Sequence, residues 1–310
     1  MLRTAFPDLL WLKREVAHRF ADGRGWPSVI IQARPSGPVH RPDVCGPLSL
    51  FMNLAGASTC AVGQRRVRIE TDTYFLSNRA EHYTLAVEEP GETETFNIHF
   101  GDQLAETALR DLTTPADRLL DDPRGPAPAV EFYSRLYPKD ESIRALVGQI
   151  RQHAEAFNAN ALLREQLLLQ LVAHLLGVHH QAQQVAAQLP AVKRATQQEI
   201  FRRLSWSVDY LHSYYPRDLS LDELAEVACL SKFHYLRLFR ALHGQTPYAY
   251  LRQLRLRKGQ ELLQIGQLPV GAVAELVGFE STSAFGRALH QSTGLWPSAL
   301  LPHGGAAGAK

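Results

Sequence analysis

Short apolar runs recur along residues 26–100, separated by Pro, Gly, Asn or Asp at intervals of about ten residues. The runs are rich in Val, Ile, Thr, Tyr and Phe, which favour strands because branched and aromatic side chains pack well on a pleated surface. The spacing predicts a small antiparallel β-barrel or sandwich. Its expected strands are Ser28–Ala33, Leu48–Leu54, Thr59–Gly63, Arg66–Glu70, Thr73–Ser77, Tyr83–Glu88 and Glu94–Phe100.

From Asp102 onward the apolar positions recur at helical spacing. Residues 102–112 predict a helix, 113–130 form a proline-rich connector, and two amphipathic helices follow over 142–157 and 161–188. The last helix has a broad apolar stripe, which we interpret as packing on the barrel and on a second copy of the chain. This predicts a homodimer through the helix Ala161–Gln181, whose stripe contains Leu163, Leu167, Leu171 and Leu175. The alternative, that the core of the same chain consumes the whole helix, stays open.

Residues 189–200 form a short, polar segment. Pro190 ends the preceding helix because proline cannot donate a backbone hydrogen bond. They predict a linker between a sensor and dimerisation domain at 1–188 and a helical domain at 201–303. The Gly- and Ala-rich tail, 304–310, predicts disorder.

The helical domain contains a degraded internal repeat. Residues 219–251 match residues 268–301, first at an offset of 49 and then of 50. In each copy a small residue lies four positions before a tight-turn position, Cys229 or Gly278, where glycine suits the backbone better. A polar residue that can cap a second helix follows the turn. The repeat predicts two helix-turn-helix units.

The second helix of each unit places large or cationic groups opposite its apolar side. Arginine binds guanine N7 and O6 in the major groove, and apolar atoms contact thymine methyl groups. The helical period by itself also allows Phe233 and Leu236 to be core residues, and that alternative stays open. The exposed rows predict contacts with double-stranded DNA from Lys232, Phe233, Leu236, Arg237 and Arg240, and from Thr282, Ser283, Gly286, Arg287 and His290.

A connecting helix is predicted between the units, from Thr246 to Gly266, with Pro247 in its first turn. Over Pro247–Leu263 it is roughly 25 Å long, which suits two recognition helices one DNA turn, roughly 34 Å, apart. Gly259 lies inside it, and we expect a local weakness there of about 1 kcal/mol relative to alanine.

Charge is unevenly distributed although the net charge is only +2. Residues 193–310 carry 14 Lys and Arg against 9 Asp and Glu. The cations of the connecting helix predict contacts with DNA phosphates, which bind basic side chains irrespective of sequence. The residues concerned are Arg252 and Arg255, with Arg257 and Lys258 beside them.

The bulk composition is that of a globular protein: 310 residues, of which 45% are hydrophobic and 21% charged. The sequence has no uncharged apolar run of about 18 residues, so no membrane span is predicted. Charged residues from Asp8 onward interrupt any signal-peptide core. The three cysteines lie far apart without CxxC spacing. They fit a reducing cytoplasm and argue against a cysteine-built zinc site.

Residues 205–302 carry the segments "RLRKGQELL" and "VAELVGFES" and a closing Gly-x-x-Pro. Together with the double helix-turn-helix, these resemble the AraC/XylS transcriptional regulators. The resemblance implies a promoter-binding regulator, expected to be an activator with RNA polymerase as partner, whose two recognition helices enter successive major grooves. A repressor is the alternative that the sequence leaves open. The base-reading residues carried over are Phe233, Leu236, Arg237, Thr282, Ser283, Gly286 and Arg287. Gly286 stands where family members often have a side chain, which implies fewer base contacts by the second helix.

The first domain resembles, in architecture only, the cupin-type sensory domain that many of these regulators carry. A polar barrel interior predicts a pocket for a small-molecule effector, lined by Asn53, Tyr74, Asn78, His82, Tyr83 and Asn97. A filled pocket, with a protein as regulatory partner, is the alternative.

Two further functions stay open. A cupin-type enzyme requires a metal, but the histidines near the barrel, His18 and His99 among them, lack an HxH motif with a downstream glutamate. We therefore expect no metal, cofactor or catalytic residue. A DNA-repair protein with the same DNA-binding module requires an activated cysteine, and Cys45 and Cys60 lack activating neighbours in sequence.

Overall fold

The computed structural model describes residues 1–10, 13–14, 26–122, 125–153, 156, 160–191 and 193–302. The chain divides into two units, Met1–Val185 and Ala186–Lys310. His18 and the tail 304–310, predicted to be disordered, lie outside the described residues.

Within the described ranges the first unit contains two sheets. The strands are β1 (Leu2–Arg3), β2 (Val29–Ala33), β3 (Val39–Cys45), β4 (Ser49–Ala55), β5 (Ser58–Val62), β6 (Arg65–Ile69), β7 (Thr73–Ser77), β8 (His82–Val87), β9 (Glu94–His99) and β10 (Leu136–Pro138). One sheet has the order β1-β2-β9-β4-β7-β10 and the other β3-β8-β5-β6. The pairing of β1 with β2 is parallel and the others are antiparallel.

All seven predicted strands are present, and β3 is a strand that the sequence pattern missed. Its segment, Val39–Cys45, contains a histidine, an arginine, a proline and an aspartate in succession and lacks the apolar alternation of the others. Pro42 is tolerated because β3 is an edge strand, where a missing donor costs little. The register shifts between Arg41 and Val44, and Asp43 has a φ of 49°.

The sheets face each other and do not close into the predicted barrel. A closed barrel has no edge strand, whereas β1, β10, β3 and β6 each end a sheet. Phe51 and Phe75 from one sheet pack against Tyr83 and Leu85 from the other. The chain is therefore of the mixed α+β class. Residue alternation shows which face of a strand is buried, but barrel closure depends on edge pairing.

Helices cover the outer face of the six-stranded sheet. They are α1 (Leu104–Thr113), α3 (Glu141–Gln152) and α4 (Ala161–Ala187). The short helix α2 (Ala116–Asp121) contributes no buried residue. In α4, Leu167, Leu171 and Leu175 are 4%, 0% and 1% exposed, and Leu163 packs against the same core cluster. The leucine stripe therefore packs inside the unit, and these side chains do not form a surface for a second copy. The homodimer itself stays a prediction.

By length and composition, α4 is also long and apolar enough to cross a membrane. Core helices pass the same test. Six of its large apolar side chains are buried against the sheet and α3, which accounts for its hydropathy: Leu167, Leu168, Leu171, Val172, Leu175 and Leu176.

The second unit is helical, as predicted. Its described helices are α5 (Arg194–Tyr214), α6 (Leu221–Val227), α7 (Lys232–His243), α8 (Pro247–Ile265), α9 (Val270–Leu276), α10 (Thr282–Thr293) and a 3₁₀ helix, Pro297–Leu300. The first of these begins inside segment 189–200, which the sequence marks as a linker.

The connecting helix α8 has the predicted ends. Thr246 caps it by accepting a hydrogen bond from the Ala249 amide at 3.1 Å, Pro247 follows, and Gly266 ends it with a φ of 72°. Its 19 residues make it about 28 Å long. Gly259 is more than a weak point, because a Cβ there would lie 2.6 Å from the ring of Phe285. Glycine lets α10 pack directly on α8.

Candidate nucleic-acid interface

The turns of the two helix-turn-helix units are built by the same pair of backbone hydrogen bonds. In the first turn, the amide of Cys229 donates to the carbonyl three residues earlier at 2.8 Å, and that of Leu230 to the carbonyl five residues earlier at 2.9 Å. Gly278 and Phe279 repeat both bonds at 2.9 Å in the second turn. These bonds satisfy the last carbonyls of α6 and α9, as in a Schellman motif.

The predicted tight-turn positions both adopt left-handed backbone conformations. Cys229 has a φ of 51° and Gly278 a φ of 85°. This conformation disfavours residues with a Cβ, so the internal repeat located both turns correctly.

The predicted row on α7 is exposed. Phe233 is 86% exposed, Lys232, Arg237 and Arg240 are exposed, and Leu236 is half-buried. The alternative that Phe233 belongs to the core is therefore wrong. The opposite side of the helix is anchored by the buried residues Tyr235, Leu238 and Phe239.

The cations of this row differ in their partners. Lys232 pairs with the Asp222 carboxylate at 2.6 Å. The side chains of Arg237 and Arg240 make no hydrogen bond or ion pair within the part of the chain that the structure describes. Their guanidinium groups are free to bind an external acceptor such as a base edge or a phosphate.

The row on α10 is smaller than predicted. Thr282, Ser283 and Arg287 are exposed, and His290 is half-buried and stacks on Trp296 with ring centres 4.4 Å apart. Gly286 is buried, so its assignment to the exposed row is corrected. The 3₁₀ helix covers it, and a Cβ there would lie 3.8 Å from a ring carbon of Pro297.

The cations of α8 also divide into two classes. Arg252 is exposed and makes one long contact, 3.4 Å, with Gln291. Arg255 is directed inward, and its guanidinium donates to the carbonyls of Tyr215 and Arg217, both at 2.7 Å. The predicted phosphate contact of Arg255 is therefore wrong, because its donors bind the protein backbone.

Only three of the six residues predicted to line an effector pocket face the same space. Asn53 and Tyr83 face the space between the sheets, where Asn53 donates to Ser58 and to the Ile69 carbonyl. Asn97 faces the same space, because its strand neighbours Phe96 and Ile98 pack on the helix side.

The other three lie elsewhere. Tyr74 faces the helices and stacks on Tyr137 with ring centres 5.3 Å apart. Asn78 bonds to the backbone of Phe132, which it holds in place. His82 is exposed and pairs with a surface aspartate. Tyr74 and Asn78 therefore stabilise the fold and His82 lies on the surface, so none of the three lines the space between the sheets.

His99 was not among the predicted pocket residues. Its Nδ1 lies 2.9 Å from the Ser49 hydroxyl, and it lines a cavity of about 30 Å³ together with Tyr83 and Trp26. Burial lowers the pKa of His99 to about 4, so it is neutral at pH 7. The polar alternation of Thr95, Asn97 and His99 along β9 was the sequence signal that would have found it.

The described residues give no support to an activated thiol. Cys60 is buried, and burial raises the pKa of its thiol, which is the opposite of what a nucleophile requires. Within the same ranges, no three His, Cys, Asp or Glu side chains are grouped as metal ligands.

Comparisons with known proteins match both units. The family model described as "AraC-like ligand binding domain" matches residues 25–172, and the model described as "Helix-turn-helix domain" matches residues 224–302. These ranges include the strands β2 to β10, the second helix-turn-helix unit and the first unit from the middle of α6 onward.

Curated relatives are similar to this chain over part of their length. The HTH-type transcriptional regulator AlkR of Acinetobacter baylyi is 35% identical over 85 residues, 27% of this chain and 28% of that protein. The MmsAB operon regulatory protein of Pseudomonas aeruginosa is 29% identical over 130 residues, 41% and 40% of the two chains. This chain thus spans less than half the length of these relatives.

A solved AraC-type transcriptional regulator from Chromobacterium violaceum is 22% identical, with a TM-score of 0.32, over 37% of this chain and 100% of that chain. The assignment rests on the two family models and the sequence relatives. On these matches, the chain belongs to the AraC/XylS family of transcriptional regulators.

Proposed function

We propose that this protein is a sequence-specific, DNA-binding transcriptional regulator whose first unit responds to a small molecule. The observation that carries the proposal is the pair of exposed rows on matched helices, each with an arginine that has no partner among the described residues: Arg237 on α7 and Arg287 on α10. The relatives' printed names, which describe transcriptional regulators, support it.

The two rows have the chemistry of base recognition. Each recognition helix has 12 residues, a length that fits a major groove. Arg237 and Arg287 would bind guanine, Phe233 would contact thymine methyl groups, and the hydroxyls of Thr282 and Ser283 would bind bases or phosphates. Arg252 and the exposed Arg257 would neutralise phosphates beside them.

The test compares two arginines. Arg237→Ala should weaken binding to a specific duplex by about 1–3 kcal/mol and relax the base preference at one or two positions. Arg257→Ala is the matched control, since it removes one exposed cation outside the row. It should weaken all sequences about equally and lower the salt dependence of binding. Selection from random duplexes, followed by titration at several salt concentrations, measures both effects. Indistinguishable sequence profiles would contradict the proposal.

We propose that the effector binds in the space between the two sheets. Two buried polar atoms there, Asn53 Oδ1 and Asn97 Nδ2, lack a protein hydrogen-bond partner, and buried polar atoms of this kind call for a ligand or water. Neutral His99 and Tyr83 would supply further polar contacts. The match to a ligand-binding domain supports this location, which a thermal-shift screen with small metabolites would test.

The mode of regulation follows from the same proposal. We propose an activator that contacts RNA polymerase in the cytoplasm and has no catalytic activity. A homodimer would bring two DNA-binding modules together and raise their affinity through effective concentration. Its interface is left unassigned because the leucine stripe of α4 is buried. Sedimentation with and without DNA distinguishes dimer from monomer.

A further inference from the structure

Arg255 links the connecting helix, α8, to residues 215–218, which precede the first helix-turn-helix unit. Its side chain is 12% exposed. Nε donates to the Tyr215 carbonyl and Nη2 to the Arg217 carbonyl, each at 2.7 Å, and the Asp218 carboxylate lies 3.8 Å away. Tyr215 follows the last residue of α5, where main-chain carbonyls lack partners within the helix. Arg255 satisfies them from the middle of α8.

The turn of the second unit rests on the same corner. The Cβ position of Gly278 lies 2.5 Å from the Pro216 carbonyl oxygen and 3.0 Å from Cζ of Arg255. Only a residue without a side chain allows this approach. Tyr215, Pro216, Arg217, Arg255 and Gly278 therefore form one cluster, which we call the clasp.

The guanidinium of Arg255 holds α8 and the corner at 215–218 in a fixed relative orientation. A guanidinium is a planar fork that donates in two defined directions, whereas a lysine ammonium is a point charge on a flexible chain. Burial lowers the pKa of Arg255, which nevertheless stays charged at neutral pH because arginine is so basic. Its charge is directed at two carbonyls of the corner before α6, not at solvent.

The clasp joins the two segments that lead into the recognition helices. The corner at 215–218 leads into α6 and α7, and Gly278 leads into α10. Movement of Gly278 relative to the corner would therefore change the distance and the angle between α7 and α10. Arg255 opposes such movement, since it bonds to the corner and its guanidinium lies beside Gly278.

We infer that Arg255 is a positioning residue that sets the separation of the two recognition helices, and with it the base-pair spacing that the protein prefers between its two recognition sequences. The inference rests on the proposed DNA-binding function. It assigns to Arg255 a role in specificity without a contact to DNA.

The experiment uses the full chain and a duplex that the wild type selects from a random-sequence library. Derivatives of that duplex have one or two base pairs added or removed between the two recognised sequences. Arg255→Ala should bind the selected spacing roughly tenfold more weakly. It should also discriminate less against the altered spacings, because its recognition helices are no longer held at one separation. Its salt dependence should match that of the wild type.

Arg252→Ala is the matched control, three residues earlier on the same helix and exposed. It should weaken binding at every spacing by the same factor and reduce the slope of log affinity against log salt by about one. Arg255→Lys keeps the charge with a single donor centre. It provides the test if the alanine variant does not fold, and it should broaden the spacing preference to a smaller extent.

The possible results distinguish failure of the positioning role of Arg255 from failure of the proposed DNA-binding function. A folded Arg255 variant that keeps the wild-type spacing preference overturns the positioning role. A reduced salt slope in Arg255→Ala overturns it too, since that result indicates a phosphate contact. A wild type that selects no sequence overturns the proposed function, whereas the first two results leave DNA recognition intact.

Discussion

The two tight turns provide matched positions at which substitutions should act in opposite directions. Gly278→Ala places a Cβ on a residue with a φ of 85°, which costs about 1–2 kcal/mol. The same atom would lie 2.5 Å from the Pro216 carbonyl oxygen, and relieving overpacking of this kind costs about 1–3 kcal/mol. We therefore expect the free energy of unfolding of the second unit to fall by about 2–5 kcal/mol.

Cys229→Gly should have the reverse effect. Cys229 has a φ of 51° and its side chain is exposed, so glycine relieves about 1–2 kcal/mol of strain without removing buried contacts. Glycine also makes the unfolded chain more flexible, which offsets about 0.5–1 kcal/mol. The net result is a stabilisation of up to about 1.5 kcal/mol.

Urea unfolding of the full chain, followed by hydrogen exchange in peptides from residues 194–302, measures these changes. A local probe is needed because a chain with two units does not unfold in a single step. Cys229→Ala is the control, since it keeps the Cβ and should change stability by less than about 0.5 kcal/mol. If Gly278→Ala costs no more than Cys229→Ala, the contact with Pro216 does not limit the second turn.

Two other perturbations test the packing inside each unit. Gly259→Ala should lower the stability of the second unit by about 1–3 kcal/mol, because its Cβ would lie 2.6 Å from Phe285, although alanine is the better helix former. Gly148→Ala, on the exposed side of α3 with no atom within 4 Å of the added Cβ, should instead raise stability by about 1 kcal/mol in the same thermal unfolding assay. His99, with a pKa of about 4 in the folded state against 6.5 when exposed, binds fewer protons folded than unfolded. Stability of the first unit should therefore fall by about 3 kcal/mol as the pH drops from 6.5 to 4, and His99→Gln should lose less in urea unfolding over that range.

Features that depend on a few neighbouring residues were predictable from the sequence. Strand alternation located seven strands, Thr246 and Gly266 marked both ends of the connecting helix, and the repeat located both turns. The exposed row on α7, with Phe233 and Arg237, was predictable for the same reason. Once the turn fixes where α7 begins, the helical period determines which side chains face outward.

The tertiary structure decided what covers each of these faces. The alternation in the strands did not show whether the edges of the sheets pair with each other. The leucine pattern of α4 would be the same whether a sheet of this chain or a second chain packs on it. Gly259 owes its role to Phe285, which lies 26 residues later in the sequence. Arg255 is one cation among several in the sequence, and only the fold brings it to two backbone carbonyls instead of solvent. The position of a residue in the helical or strand repeat determines which way its side chain points, and its chemistry determines which kinds of bond it can make. Which partner it meets depends on how distant parts of the chain pack together.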